Sequence, residues 1–414
     1  MPGGHKFWRD TAILALIAAA ARLIFLRLLP AGVESVDLHS WQLVALELRA
    51  GRNPYHTTPF LNWPPLWMQI IAVIDNASQV LRIPFATLLR LFLIVADVSG
   101  IIAAHRLAIF LEAKKARAIV LFGLALNPIC ILLVCQHANF DTIVALAVLL
   151  AVSAVLRFVR SEDPVDWLYA SLAIGIGTLA KTIPIILIPL LSARWKTLDH
   201  RTRILGALLL LGPVALGLSI VFTLAPQDIL QKVIQYRSLG GVFGASGIFA
   251  ATVNAQAARM VRIVLLLVLA AVVILATMRT ARRDSNDGPS LLLLAAFLLI
   301  GIILFGPGYG PQYIAWFLPL LVLTATSFDA VWRRILVVWG VVAVLTYLTE
   351  YLLLRSHGSL LLHLRPQQNF AWTGALATSS GLTLLRLPLF LAYCALWGKA
   401  AALLMRRNGD ASTA

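Results

Sequence analysis

The run FDTIVALAVLLAVSAVLRF, residues 140–158, decides the fold class. Between Asp141 and Arg157 it is unbroken by charge, and it does not alternate as a barrel strand would. A helix of about 20 such residues covers the hydrocarbon thickness of a bilayer. Comparable runs lie near 11–29, 86–111, 118–135, 167–180, 183–193, 204–224, 261–278, 290–306, 312–330, 335–353 and 384–405. The pattern predicts an all-α, polytopic integral membrane protein with about 11–12 transmembrane helices in a single domain, residues 1–414. The runs at 167–180 and 183–193 are short and read as a broken pair that turns within the membrane. Thr11 to Leu29 has no small-residue cleavage site after it and reads as a retained first helix.

Composition agrees. Of 414 residues, 60% are hydrophobic and only 13% charged, against about 25% charged in soluble domains. That excludes a water-soluble fold and a disordered chain alike. Lys and Arg number 34 against 18 Asp and Glu, a net charge of +16. No basic patch interleaved with aromatics accompanies this excess, so no nucleic-acid partner is expected. Cys130, Cys135 and Cys394 all sit in apolar stretches and read as small core residues.

The excess of positive charge instead orients the chain, because Lys and Arg collect in cytoplasmic loops. With the N-terminus inside, the inner connections carry Lys114, Lys115 and Arg117; Arg157 and Arg160; Arg194, Lys196, Arg201 and Arg203; Arg279, Arg282 and Arg283; Arg333 and Arg334; then Arg406 and Arg407. The count works only if residues 66–82 do not cross. Leu66 to Leu81 is therefore expected as an interfacial or re-entrant helix on the outer side. Both termini are placed in the cytoplasm of a cell bounded by a plasma membrane, and the long extracytoplasmic segments are 30–85, 225–260 and 354–383. No internal repeat is visible, which weighs against transporters built from duplicated halves.

The richest polar segment follows the first helix: Glu34-Ser35-Val36-Asp37-Leu38-His39-Ser40-Trp41, then Gly51-Arg52-Asn53-Pro54-Tyr55, then Asn62-Trp63-Pro64-Pro65-Leu66-Trp67. A carboxylate at the membrane boundary suits a general base acting on a hydroxyl. This ordered set resembles the C-type (GT-C) membrane glycosyltransferases, nearest to the bacterial polyprenyl-phosphate-mannose-dependent mannosyltransferases and the glycolipid-anchor mannosyltransferases. Asn127-Pro128, Gln136-His137-Ala138-Asn139-Phe140-Asp141, Asp97, Gly175-x-Gly177 with Lys181 and Pro184, and Gln312-Tyr313-x-x-Trp316-x-x-Pro319 are similar to further segments of those families. In place of the family's Tyr or Phe near the Asp, this chain has Trp41.

The resemblance implies a GT-C-like fold and an inverting transfer of a sugar, mannose first, from a polyprenyl-phosphate donor to a glycolipid or cell-envelope glycan acceptor outside the cytoplasm. It makes Asp37 the catalytic base. Substrate contacts are expected from Glu34, His39, Tyr55, His137, Asp141, Lys181, Arg237, Gln312 and Tyr313. Lys181 and Arg237 would meet the phosphate, whose negative charge grows in the transition state; the bland alternatives are a snorkelling lysine and a solvated loop. Asp141 would orient acceptor or sugar, or join Asp37 or Glu34 around a divalent ion, or merely cap its helix. Asp97, mid-helix, is expected to pair with a polar neighbour in the bundle. No protein-bound cofactor is expected. His39, His56 and His137 lack zinc spacing, while an oxygen-built Mg or Mn site stays open. Trp41, Tyr55, Trp63, Trp67, Tyr309, Tyr313 and Trp316 read as an interfacial belt or as sugar-stacking surfaces. A competing reading is a flippase of polyprenyl-linked sugars, which would need polar residues open to both faces.

Overall fold

The computed structural model describes residues 4–29, 35–58, 61–234, 255–282, 287–306, 310–349 and 379–406. Among these residues the chain is helical and has no strand. Eight helices are individually long and apolar enough to cross a membrane, and a ninth crossing is a helix pair bent by 46°.

The first helices fix the faces of the bundle. Helix α1 (Gly4–Leu28) lies antiparallel to α5 (Phe85–Phe110). Arg106 sits 4.9 Å over the Trp8 ring, Thr11 Oγ1 is 2.9 Å from His105 Nδ1, and Arg22 reaches Asp97 at 2.6 Å. The chain therefore enters and leaves residues 29–84 on the same face. Helices α2 (Val36–Arg49), α3 (Pro54–Thr57) and α4 (Pro65–Leu81) fill that interval without carrying the chain across. Helix α4 is amphipathic: Trp67, Ile71 and Ile74 face inward while Val73 and Val80 are exposed. Arg49 on α2 grips Asp75 on α4 at 2.5 and 3.1 Å. Residues 66–82 thus lie along one face, as the charge count requires.

The third crossing is broken. Helix α6 (Ala116–Val120) runs into a π turn over Leu121–Ala125, and α7 (Pro128–Cys135) restarts after the bend. Pro128 has no N–H to give and Asn127 caps the new start, its Oδ1 accepting from Ile129 N at 2.9 Å. Carbonyls freed by such a bend need partners inside a membrane. The guanidinium of the fully buried Arg22 supplies them: it donates to Ala125 O at 2.5 Å and Leu124 O at 3.4 Å while its Nε holds Asp97. Asp97 is paired inside the bundle, as its mid-helix position predicts.

Helix α8 (Asp141–Ser161) and α9 (Pro164–Ala180) form a hairpin pinned at both ends, by Arg157 to Asp166 at 2.7 Å and by Lys181 to Asp141 at 2.7 Å. After Lys181 the chain returns through a 3-10 turn (Ile183–Leu187) and the short α10 (Ile188–Leu191) to Arg194, which pairs with Glu162. The expected broken pair is present. Gly175 makes the packing possible: a Cβ there would sit 2.6 Å from the carbonyls of Leu209 and Leu210 on α11 (His200–Leu224). The remaining elements are α12 (Pro226–Ile229), α13 (Ala255–Arg282), α14 (Gly288–Phe305), a 3-10 segment (Pro311–Trp316), α15 (Leu318–Thr324), α16 (Ala330–Leu348) and α17 (Ser379–Arg406). Helix α9 is apolar but shorter than these spans, so among the described residues eight helices, or nine with the bent pair, are long and apolar enough to cross, against the 11–12 expected.

Helices α8 and α14 form the centre of the bundle, with 67% and 72% of their apolar stretches buried, whereas the apolar stretch of α13 has none buried and only its end near Ala276 and Thr280 packs inward. Cys394, expected in the core, is exposed; Cys135 is buried as expected. Basic residues crowd the face opposite Asp37, from Arg9 and Arg117 through Arg157 and Arg201 to Lys399. Segments 235–254 and 350–378 of the expected long loops lie outside the described residues.

Candidate active site

Three chain segments far apart in sequence converge at one face around Asp37. Ser35 begins the site. Its hydroxyl accepts from Leu38 N at 3.0 Å, capping α2, and donates to His137 O at 2.5 Å. One residue into the helix, Asp37 is thereby aimed at the loop that joins α7 to α8. Trp41, one turn further, donates from Nε1 to Ala138 O at 3.2 Å. That loop is tight: Ala138 is buried and adopts a left-handed φ of 51°, a conformation that favours glycine. The turn brings His137 and Asn139 to the same carboxylate oxygen. Asp37 Oδ2 is 2.7 Å from His137 Nε2 and accepts from Asn139 Nδ2 at 2.6 Å.

Both contacts fall on Oδ2, so Oδ1 is left for an incoming group, and the Asp37 side chain keeps 24% exposure. Burial pushes the carboxyl upward, but the charge and hydrogen bond of His137, the amide of Asn139 and the charge of Lys181 outweigh it. Asp37 is held below its ordinary 3.8. Behind it, His137 Nδ1 lies 3.1 Å from the hydroxyl of buried Tyr347. His137 therefore bridges the two groups, Nε2 donating to Asp37 and Nδ1 sharing a hydrogen bond with the Tyr347 hydroxyl.

Beside this chain of contacts stands an ion pair in an aromatic box. Asp141 is wholly buried and accepts from Lys181 Nζ at 2.7 Å and Trp316 Nε1 at 2.9 Å, both on Oδ1. Its Oδ2 is buried without a hydrogen-bond partner among the described residues. The ammonium of Lys181 lies 5.2, 4.6 and 4.9 Å from the ring centres of Phe140, Tyr313 and Trp316, within cation–π range. Asn139 links the two groups, since its Oδ1 accepts from Asp141 N at 2.8 Å while its amide holds Asp37. Helix capping, one reading of Asp141, does not hold: its carboxylate faces Lys181 and Trp316, and the side chain that bonds the first amide of α8 is that of Asn139.

The predicted residues divide accordingly. Asp37, His137, Asp141, Lys181 and Tyr313 meet, with half-buried Gln312 on the same 3-10 segment as Tyr313. His39, two residues past Asp37, points to the other side of α2 and is exposed. Tyr55 is buried away from this group: its hydroxyl donates to Trp63 O at 2.7 Å, and its carbonyl and that of Thr58 accept from Lys232, which stitches the second outer segment to the first. Glu34 and Arg237 lie outside the described residues. Of the aromatic residues, Tyr309 lies outside the described residues, and the three buried tryptophans differ from both expectations. Trp41, Trp67 and Trp316 are buried in packed clusters; Trp41 meets Trp63 at 4.3 Å and Phe140 at 5.6 Å. They form the wall that fixes the 136–140 loop. Sequence reasoning assigned no role to Asn139, Tyr347 or Arg22. Arg22 was detectable as an arginine inside an apolar run, and Asn139 lay within the quoted 136–141 segment; nothing local marked Tyr347.

No cluster of three His, Cys, Asp or Glu side chains occurs among the described residues, and Glu34, which the expected oxygen-built site would use, lies outside them.

This architecture is all-helical and multi-pass, as in a membrane protein. A solved structure of the same arrangement is ArnT from Cupriavidus metallidurans bound to undecaprenyl phosphate. It matches 95% of this chain and 78% of its own with a TM-score of 0.50 and 13% sequence identity, so the likeness is one of fold. No protein-family model matches the sequence and no curated protein does.

Proposed function

We propose that this protein is an inverting glycosyltransferase that takes a sugar, mannose, from a polyprenyl-phosphate carrier and places it on a hydroxyl of a glycolipid or envelope glycan. The observation that carries the reading is Asp37: a carboxylate kept ionised, fixed through one oxygen by His137 and Asn139, and open through the other. Support comes from the ArnT-like fold, since that protein was solved with undecaprenyl phosphate bound, and from the likeness of the Asp37 loop to those of the mannosyltransferases.

The acceptor O–H would donate its proton to Asp37 Oδ1 as the acceptor oxygen attacks the anomeric carbon from the face opposite the phosphate. The bond from that carbon to the phosphate oxygen breaks, and the electron pair leaves with the polyprenyl phosphate, which needs no proton. A carboxylate with a lowered pKa is a weak base, so the proton moves late, once the new C–O bond is well formed. Lys181 has one N–H engaged by Asp141, leaving two of its three donors for phosphate oxygens. The unpartnered Asp141 Oδ2 would accept from a sugar hydroxyl. The concentration of Lys and Arg on the opposite face supports an extracytoplasmic site with both termini in the cytoplasm.

The test is transfer by purified protein in detergent from synthetic polyprenyl-phosphate-mannose to a membrane lipid extract. A mannosylated lipid is expected. Failure with every donor sugar, together with movement of donor lipid across liposomes, would replace the enzyme with a flippase.

A further inference from the structure

At the face opposite Asp37, α9, α10, α11 and α13 enclose a cleft of about 330 Å³. It lies at the far end of the α8–α9 hairpin from the Asp141–Lys181 pair and shares no residue with that site. Its wall presents hydrocarbon, because the polar groups along it are already bonded within the protein. Trp167 Nε1 donates to Leu191 O at 2.8 Å, Ser171 Oγ to Trp167 O at 3.1 Å, and Ser192 Oγ to Pro189 O at 2.6 Å and Thr277 O at 3.1 Å. A water molecule would find no set of partners there.

The rim is of the opposite character. Trp195 is 39% exposed, and the Arg203 guanidinium, which lines the cleft, stacks 4.9 Å above its ring. Arg203 Nη2 donates to Lys196 O at 3.1 Å, while its Nε has no partner among the described residues. Exposed Lys196 and Arg201 lie near it in sequence, exposed Arg279 and Arg282 lie beside the lining Ala281 on α13, and the nearby Asp199 is engaged in capping α11 through Thr202 N. An apolar slot under a basic, tryptophan-edged rim complements one kind of membrane molecule, a lipid with a hydrocarbon chain and an anionic head.

We propose that this cleft holds an acyl chain of an anionic glycerophospholipid from the leaflet opposite Asp37, with its phosphate on Arg203. The site stands independently of the transfer reaction. A polyprenyl-phosphate donor serving Asp37 would have its phosphate at the other face.

The experiment is native mass spectrometry and thermal unfolding of the delipidated full chain in neutral detergent. Phosphatidylglycerol, phosphatidylcholine with the same chains, free glycerol phosphate and polyprenyl phosphate are supplied in turn, with Arg203→Gln and the lining, exposed Ala207→Phe as variants. Wild type should retain phosphatidylglycerol about 10-fold better than phosphatidylcholine and melt later with it. Arg203→Gln should lose that preference, and Ala207→Phe should lose retention of both lipids. Equal retention of the two lipids by wild type overturns the proposal whatever the variants do. So does full competition by glycerol phosphate, which would leave a headgroup site alone, or displacement by polyprenyl phosphate at equal concentration, which would make the carrier the occupant.

Discussion

Asp37 and His137, a hundred residues apart in the chain, meet Oδ2 to Nε2 at 2.7 Å, and Asn139 closes on the same oxygen at 2.6 Å. Two donors on one oxygen lock the carboxylate plane and direct the other oxygen outward. Replacing Asp37 with Asn preserves shape and removes the base. Transfer should fall by about 10²–10⁴-fold, while binding of radiolabelled polyprenyl-phosphate-mannose persists. Equal rates in wild type and variant would remove Asp37 from the reaction and turn attention to Asp141.

His137 should set the acid limit of the reaction. Burial raises the Asp37 pKa, and His137 is foremost among the groups that overcome it. In wild type the carboxylate is lost only as pH falls below the ordinary value of 3.8, and with it both base function and the folded-state stability that the depressed pKa provides. In His137→Leu only Asn139 and Lys181 oppose burial, so the Asp37 pKa rises and the acid limb of kcat/KM against pH moves to higher pH. A profile that drops in height with its acid limb unmoved would make His137 a packing residue.

The Asp141–Lys181 pair should behave as a buried ion pair whose members depend on one another. Lys181→Met leaves a wholly buried carboxylate without a counter-charge, and Asp141→Leu leaves an ammonium facing aromatic rings. Each single change should cost about 3–5 kcal/mol, and the double change should recover most of it. Unfolding of the four proteins in detergent completes the cycle. Additive losses would show the two side chains to be independent.

How far the sequence went can be seen from these residues. Spans, the fate of 66–82 and the break at Lys181 were legible because hydropathy, positive charge and Pro184 act locally. Asp37 was singled out through its loop motif, and His137 and Asn139 gather on it. That Lys181 faces Asp141 was not legible, although both were singled out, because 40 residues and a helical hairpin separate them. Trp41 and Trp67 were placed at a lipid or sugar surface because aromatic residues at a membrane boundary carry the same composition whether they face outward or pack on Phe140. Only the φ of Ala138 and the turn it makes bring Phe140 beneath them.

Arg22 supports the site from below, and its two duties can be separated. The guanidinium holds Asp97 and also the carbonyls of Ala125 and Leu124, where the third crossing bends before it reaches His137. Asp97→Asn leaves an acceptor for Nε and both carbonyl bonds intact but deprives the buried guanidinium of its counter-charge, so it should cost about 3 kcal/mol. Arg22→Met strips Asp97 and the carbonyls together and should cost several kcal/mol, in the range of about 3–5. The pair Arg22→Met with Asp97→Leu should recover only part, because the orphaned carbonyls remain in a dry bundle. Thermal unfolding ranks the three variants. Because α7 leads directly into the His137 loop, transfer by Arg22→Met should also fall below the level that its folded fraction accounts for. Full recovery in the double variant would mean that the ion pair alone matters and that the bend needs no partner.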